Sequence, residues 1–262
     1  MYRVLVTLLG ALGFLSRFPV GRDDRAWAAF RDTPAAFPVA GYAVGALVAL
    51  PVFLALALGT PTPTAAFVLV LGIYLVTGIN HADGIADVGD AAVVHGGPKE
   101  RRTVMRDTTV GVGAVLALGV VLVGLALAGL GLAALAGSDP TLPTLVRVAG
   151  LVVAAEVGAK LGMAAVVCFG TAAHDGLGSA LTERSGPRAF VFPALLSLPT
   201  IVLTWPQPAA AVALVAGVAA ALAVLRWARA VLGGASGDVL GATNEIVRVT
   251  ALHAGVIAWT LS

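Results

Sequence analysis

Three aspartates, Asp83, Asp87 and Asp90, fall within Asn80-His81-Ala82-Asp83-Gly84-Ile85-Ala86-Asp87-Val88-Gly89-Asp90. Their spacing is i, i+4, i+7. On a helix, at about 100° per residue, they lie within about 60° of one another on one face. Three carboxylates on one stripe repel, and a cation is what would hold them together. Oxygen-only donors suit Mg²⁺ or Mn²⁺, which take carboxylates together with substrate phosphates and waters. No cysteine is near, and His81 and His95 alone argue against a structural zinc site. Gly84 would let a bulky group approach the backbone. The plainer reading is a solvated helix end, but Asp is a poor helix former and three in register would gain nothing there.

Two more stretches carry chemistry. Lys99-Glu100-Arg101-Arg102-Thr103-Val104-Met105-Arg106-Asp107-Thr108-Thr109-Val110-Gly111 pairs bases with an acid just before an apolar run. Arg forks bind phosphate oxygens bidentately, and Arg106 with Asp107 is read in that role. Lys99, Arg101 and Arg102 are read as juxtamembrane charges that set topology or meet anionic headgroups. In Leu232–Glu245, glycines at 233, 234, 237 and 241 permit close backbone approach, and such loops make anion nests. Gly233, Gly234, Gly237, Asp238 and Asn244 are the binding candidates there, and Glu245 shares the loop. The alternative is a flexible turn. Glu156 and Lys160 stand i, i+4 in an apolar segment and are read as a mutual pair. His174 and His253 are read as satisfied polar packing.

The rest of the chain must position these groups. Of its 262 residues 59% are hydrophobic and 11% charged, and its mean hydropathy is +0.97. A soluble domain carries about 25% charged residues. Sixteen Lys and Arg against 14 Asp and Glu cannot cover a water-facing surface of this size. A soluble globule, a disordered chain and a nucleic-acid binder are thereby disfavoured, and the lipid bilayer is the natural solvent. A single cysteine, Cys168, forms no internal disulfide.

The pattern predicts an all-α, polytopic integral membrane helical bundle, read as one catalytic domain over residues 1–262. About seven spans are expected, over 37–58, 64–79, 110–136, 145–170, 190–204, 209–231 and 246–262. Residues 1–20 end in Ser16-Arg17-Phe18-Pro19 instead of a small-residue cleavage site and are read as a re-entrant or interfacial helix. Connections 59–63, 137–144 and 205–208 lack Lys and Arg, while 21–36, 80–109, 171–189 and 232–245 are longer and polar. Arg22, Arg25, Arg31, Lys99, Arg101, Arg102, Arg106, Arg184 and Arg188 lie in the longer set, and Arg147 alone flanks the other side. The positive-inside rule puts the longer set, and the aspartate stripe with it, in the cytoplasm of a multi-pass cell-membrane protein.

Taken together, the motifs resemble the cobalamin synthase family, the adenosylcobinamide-GDP ribazoletransferases. The resemblance begins at Gly13-Phe14-Leu15-Ser16-Arg17-Phe18-Pro19-Val20 and Phe37-Pro38-Val39-Ala40-Gly41. It is most specific at His81-x-Asp83-Gly84-x-Ala86-Asp87-x-x-Asp90, at Met105-Arg106-Asp107-Thr108-x-Val110-Gly111, and at Gly233-Gly234-x-Ser236-Gly237-Asp238-Val239-Leu240-Gly241-Ala242. His174-Asp175-Gly176-Leu177-Gly178 is a weaker match. The resemblance implies a membrane enzyme that joins adenosylcobinamide-GDP to α-ribazole, or its 5′-phosphate, and releases GMP with the help of Mg²⁺. It implies that Asp83, Asp87 and Asp90 hold the metal, with Asp238 completing the site or holding a nucleotide. Arg106 would steady the phosphates, and one of Asp87, Asp90 or His81 would take the hydroxyl proton. The rival reading is a Mg²⁺-dependent phosphotransferase of the CDP-alcohol phosphatidyltransferase type. Its usual Asp-Gly-x-x-Ala-Arg is broken here, because Asp87 follows Ala86. A transporter is disfavoured by the carboxylates' place at a helix end and by the lack of repeats. A homo-oligomer is left open.

Overall fold

The computed structural model describes residues 2–20 and 23–262. Arg22, one of the topology-setting charges, lies outside the described residues. The helices are α1 (Tyr2–Leu15), α2 (Asp24–Arg31), α3 (Ala36–Ala57), α4 (Thr62–Thr77), α5 (Asn80–Val93), α6 (Pro98–Val104), α7 (Val112–Ala136), α8 (Leu142–Phe169), α9 (Leu177–Thr182), α10 (Val191–Ser197), α11 (Ala209–Val231) and α12 (Gly237–Thr260). The all-α expectation holds. Among the described residues, five segments are long and apolar enough to cross a membrane: α3, α7, α8, the stretch Pro187–Thr204, and α11. A sixth is available if α4 and α5, bent at 99° to each other, count as one. α1, at 14 residues, is apolar but shorter than these.

α8 is the axis. It is buried almost along its whole length, and α3, α11 and α12 pack around it. By contrast, α7 shows Val115, Leu116, Val120 and Val123 to the outside, as a lipid-facing helix does. The segment expected over 190–204 is helical but not uniformly α. Tight 3₁₀ turns over Pro187–Phe190 and Leu198–Thr204 flank α10. Pro199 has no N–H to donate to the carbonyl four residues back, so the α ladder stops there.

Two boundaries differ from expectation. The aspartate segment is not a continuation of the second span, because Gly78 turns the chain at φ 72 and α5 leaves at 99° to α4. α5 therefore lies across one end of the bundle, against α12 and α7. The glycine-rich stretch is mostly helix, because Ser236 caps α12, its Oγ accepting from Val239 N–H at 3.2 Å. Only 232–236 remains as a turn.

The expected Glu156–Lys160 pair forms at 2.9 Å, and it is half of a larger cluster. From α12, Arg248 pairs with both Glu156 and Glu245. Arg248 and Lys160 are both 0% exposed. Two cations thus neutralise two carboxylates where neither charge could be solvated, and the cluster ties α8 to α12. Glu245 Oε2 has no partner among the described residues, so charge pairing and not complete hydrogen bonding holds the cluster.

Removing one partner leaves an uncompensated buried charge, at about 3–5 kcal/mol. Arg248→Met strips both carboxylates of their shared cation, whereas Lys160→Met leaves Glu156 two bonds from Arg248. Arg248→Met should therefore lower the melting temperature of the detergent-solubilised protein more than Lys160→Met; the reverse order would show that the cluster is not organised around Arg248.

Candidate active site

The three motifs meet at one end of the bundle. α5 crosses the start of α12 backbone to backbone. A Cβ built on Gly84 would stand 2.6 Å from Asp238 O and 3.1 Å from Gly241 Cα, so no larger residue fits at that crossing. From the other side, a Cβ built on Gly241 would stand 3.3 Å from His81 Cα, a tight contact. This contact brings Asp238 beside the aspartate stripe. Burial, and then the charges of Asp238, Asp83 and Asp90, push the Asp87 carboxyl up to about 6. Asp83 is exposed, and Asp87 and Asp238 are half-buried.

Asp90 does something else. Its Oδ2 accepts from Gly111 N–H at 2.8 Å and its Oδ1 from Ala114 N–H at 2.9 Å. Asp90 thus caps the start of α7, satisfying amides that a helix terminus leaves unpaired. The carboxylate read as a metal ligand has both oxygens engaged with backbone. His81, read as a candidate base, is 5% exposed, and its Nδ1 faces Asn244 Nδ2 at 3.2 Å. Asn244, read as a substrate contact, is 0% exposed inside α12 and reaches Glu245 Oε1 at 3.2 Å. Asn244 therefore links α5 to the buried ion cluster and does not face a ligand.

In the glycine-rich turn, part of the amide set is already engaged. The amides of Leu232, Gly234 and Ala235 donate to Ala228, Ala228 and Thr171 carbonyls. Gly237 packs against Leu177, where a Cβ would meet Cδ2 at 3.0 Å. Gly233 is exposed and lies against Arg102. The basic stretch divides by role. Arg101 donates to Ala91 O at 2.7 Å and to Ala92 O and Gly96 O at 3.1 Å, holding the end of α5. Arg102 donates to Leu232 O at 2.7 Å and lines a small cavity of about 70 Å³ with Met105, Arg106, Ala173, His174, Leu232, Ser236 and Asp238. Asp107 is exposed and its Oδ1 accepts from Thr109 N–H at 3.1 Å, a local turn bond that holds its carboxyl below the usual range. His253 is satisfied at Gly124 O, 2.9 Å away. His174 is not merely packed: it stands in the cavity wall with both arginines. Sequence spacing could not place it, since 64 residues separate it from Asp238.

Among the described residues, no three His, Cys, Asp or Glu side chains converge as a ready-made metal cage. Mg²⁺ does not need one, since it is bound by one or two carboxylates together with substrate phosphates and waters. Asp83, Asp87 and Asp238 fit that donor set, and their mutual repulsion at Asp87 is what a cation would relieve.

The fold and site thus define a polytopic helical membrane protein with carboxylates, arginines and a histidine gathered at one end. Residues 7–256 match the family described as cobalamin-5-phosphate synthase, and the chain belongs to that family. It is 56% identical to an adenosylcobinamide-GDP ribazoletransferase of Halorubrum lacusprofundi, over 98% of this chain and 99% of that one. A protein of the same name from Haloquadratum walsbyi is 49% identical over 98% of this chain and 100% of its own. One from Azorhizobium caulinodans is 32% identical over 95% of each. No solved structure matches the chain.

The raised Asp87 carboxyl has a consequence for stability. In metal-free protein its proton is kept up to about 6 against an ordinary 3.8, so the folded state binds more protons than the unfolded chain in that window. Its contribution falls as pH rises through the window and stays lower above it. In chelator, raising the pH from about 4.5 to about 7 should therefore lower the melting temperature of the native protein more than that of Asp87→Asn; equal responses would refute the raised value.

Proposed function

We propose that this chain joins adenosylcobinamide-GDP to α-ribazole, or to its 5′-phosphate, and releases GMP, giving adenosylcobalamin or its phosphate. The observation that carries this is full-length identity of 56% to a protein named for that transfer, running through every helix that builds the site. The chemistry suits the arrangement. A ribose hydroxyl attacks one phosphorus of a diphosphate while GMP leaves, so the protein must chiefly position groups and neutralise charge.

Asp83, Asp87 and Asp238 would hold Mg²⁺, or Mn²⁺ in its place. Bound there, the ion supplies charge neutralisation on the phosphate oxygens. The Arg106 and Arg102 guanidinium groups in the cavity wall meet the same oxygens, Arg102 being braced by Leu232 O. Asp90 keeps α5 registered against α7.

The membrane reading extends further. Beyond the five long segments, α4 and α12 would also cross, giving seven, with α1 at the interface. The end that bears α5, α6 and the 232–236 turn also bears Lys99, Arg101, Arg102 and Arg106. The positive-inside rule supports placing that end in the cytoplasm.

Two experiments test this. Membranes containing the protein should release GMP from adenosylcobinamide-GDP and α-ribazole with Mg²⁺, and Asp83→Asn and Asp87→Asn should each lower turnover at least about 10²-fold; near-normal turnover in both variants would remove the metal assignment. For sidedness, Cys168 is 2% exposed and should stay unlabelled by a membrane-impermeant maleimide. Asp139→Cys should label from outside intact cells and Lys99→Cys only after lysis; the opposite pattern would invert the topology.

A further inference from the structure

The proton released by the attacking hydroxyl needs an acceptor, and the three groups that sequence suggested are poorly placed. Both Asp90 oxygens accept backbone N–H groups. His81 is buried, with Nδ1 turned to Asn244. Asp87 belongs to the carboxylate set assigned to the cation.

His174 has what they lack. Two backbone bonds clamp its loop to the turn before α12: Ala173 N–H to Ala235 O at 2.9 Å, and Ala235 N–H to Thr171 O at 2.8 Å. Gly234, at φ 148, makes the close approach possible, since a Cβ there would stand 2.8 Å from Ala173 N. The clamp sets His174 in the wall shared by Arg102, Arg106, Ser236 and Asp238. Its Nδ1 lies 2.8 Å from Asp175 O. A carbonyl oxygen only accepts, so Nδ1 carries the hydrogen, and in the neutral ring Nε2 is left as the acceptor. A backbone carbonyl thus holds the tautomer, as an orienting partner does for a general base.

We propose that His174 Nε2 takes the proton from the attacking ribose hydroxyl, an assignment that rests on the ribazoletransferase reading. The O–H bond breaks toward Nε2 and the freed oxygen pair forms the new O–P bond. The P–O bond to GMP breaks, and its electron pair leaves on the GMP phosphate. The imidazolium then gives its proton to water or to the departing phosphate, which returns the ring to its starting state.

The test compares His174→Ala and His174→Gln with native protein in detergent. GMP release, Mn²⁺ binding and melting temperature are measured for each. Removal of a general base lowers kcat by about 10²–10⁴-fold. Both variants should show that loss with KM for either substrate within a few-fold, native Mn²⁺ binding and native melting. Gln can hydrogen-bond but cannot take the proton, so it should be as impaired as Ala, and added imidazole should restore part of the turnover in His174→Ala. Near-native turnover in His174→Gln, a defect confined to KM, or lost Mn²⁺ binding overturns the assignment. If native protein itself releases no GMP, the ribazoletransferase reading fails and this proposal with it; failure of the histidine assignment alone leaves native turnover intact.

Discussion

The site exists because two helix backbones touch where α5 crosses α12. Gly84 against Asp238 leaves no space for a Cβ, and Gly241 against His81 leaves little. Neighbouring helix axes usually sit about 8–10 Å apart, held off by side chains, so backbone contact at this crossing requires glycine at 84 and is eased by glycine at 241. The contact brings a carboxylate of α12 up to a stripe of carboxylates on α5. Burial and, after it, the like charges of Asp238, Asp83 and Asp90 resist that approach, and together they push the Asp87 carboxyl up. The repulsion must be opposed from elsewhere in the fold.

Part of the opposition is buried one layer deeper. His81 on α5 meets Asn244, Asn244 reaches Glu245, and Glu245 shares Arg248 with Glu156 of the central helix. The chain of contacts runs from the aspartate helix to α8. An ion cluster that is costly to desolvate fixes how α12 sits on α8, and α12 in turn fixes where α5 can lie. The other part lies at the helix ends: Asp90 caps α7, while Arg101 closes the carbonyl end of α5. α5 is thereby pinned at its start, its middle and its finish, and the Asp83 and Asp87 carboxylates have no hydrogen-bond or ion-pair partner among the described residues.

Much of this was legible in the residues. Apolar runs located the long helices to within a few positions except α12, which begins nine residues before the expected 246, because a bilayer demands length and low charge and both are written linearly. The i, i+4, i+7 stripe located the carboxylates because helical geometry converts spacing into a face. What escaped was set by contacts between distant segments. Glycines at 237 and 241 looked like loop formers, yet they serve helix packing within α12, and composition alone does not separate the two uses. Asn244 and Glu245 looked like loop ligands for the same reason. His174 looked isolated because the backbone clamp to Ala235 that gives it neighbours joins residues far apart in sequence. The 99° turn at Gly78 was invisible because hydropathy fades gradually from α4 into α5 and carries no direction.

Asp90 shows most clearly how tertiary context divides equivalent residues. It is spaced on α5 as regularly as Asp83 and Asp87, and a face-based reading treats the three alike. A helix lying across the end of a bundle, however, does not present one uniform environment along its length. Near its start α5 faces the opening beside Asp238, and ten residues after Asn80 it meets the first turn of α7, where unpaired N–H groups await an acceptor. A carboxylate at that point is drawn to the amides, and Gly89 opposite Gly113 O, where a Cβ would stand 2.7 Å away, lets the two helices close on the contact. The third aspartate thus supplies an anchor to α7 while the first two stay uncommitted, and a regular stripe divides into two open carboxylates and a structural one without any change in residue type.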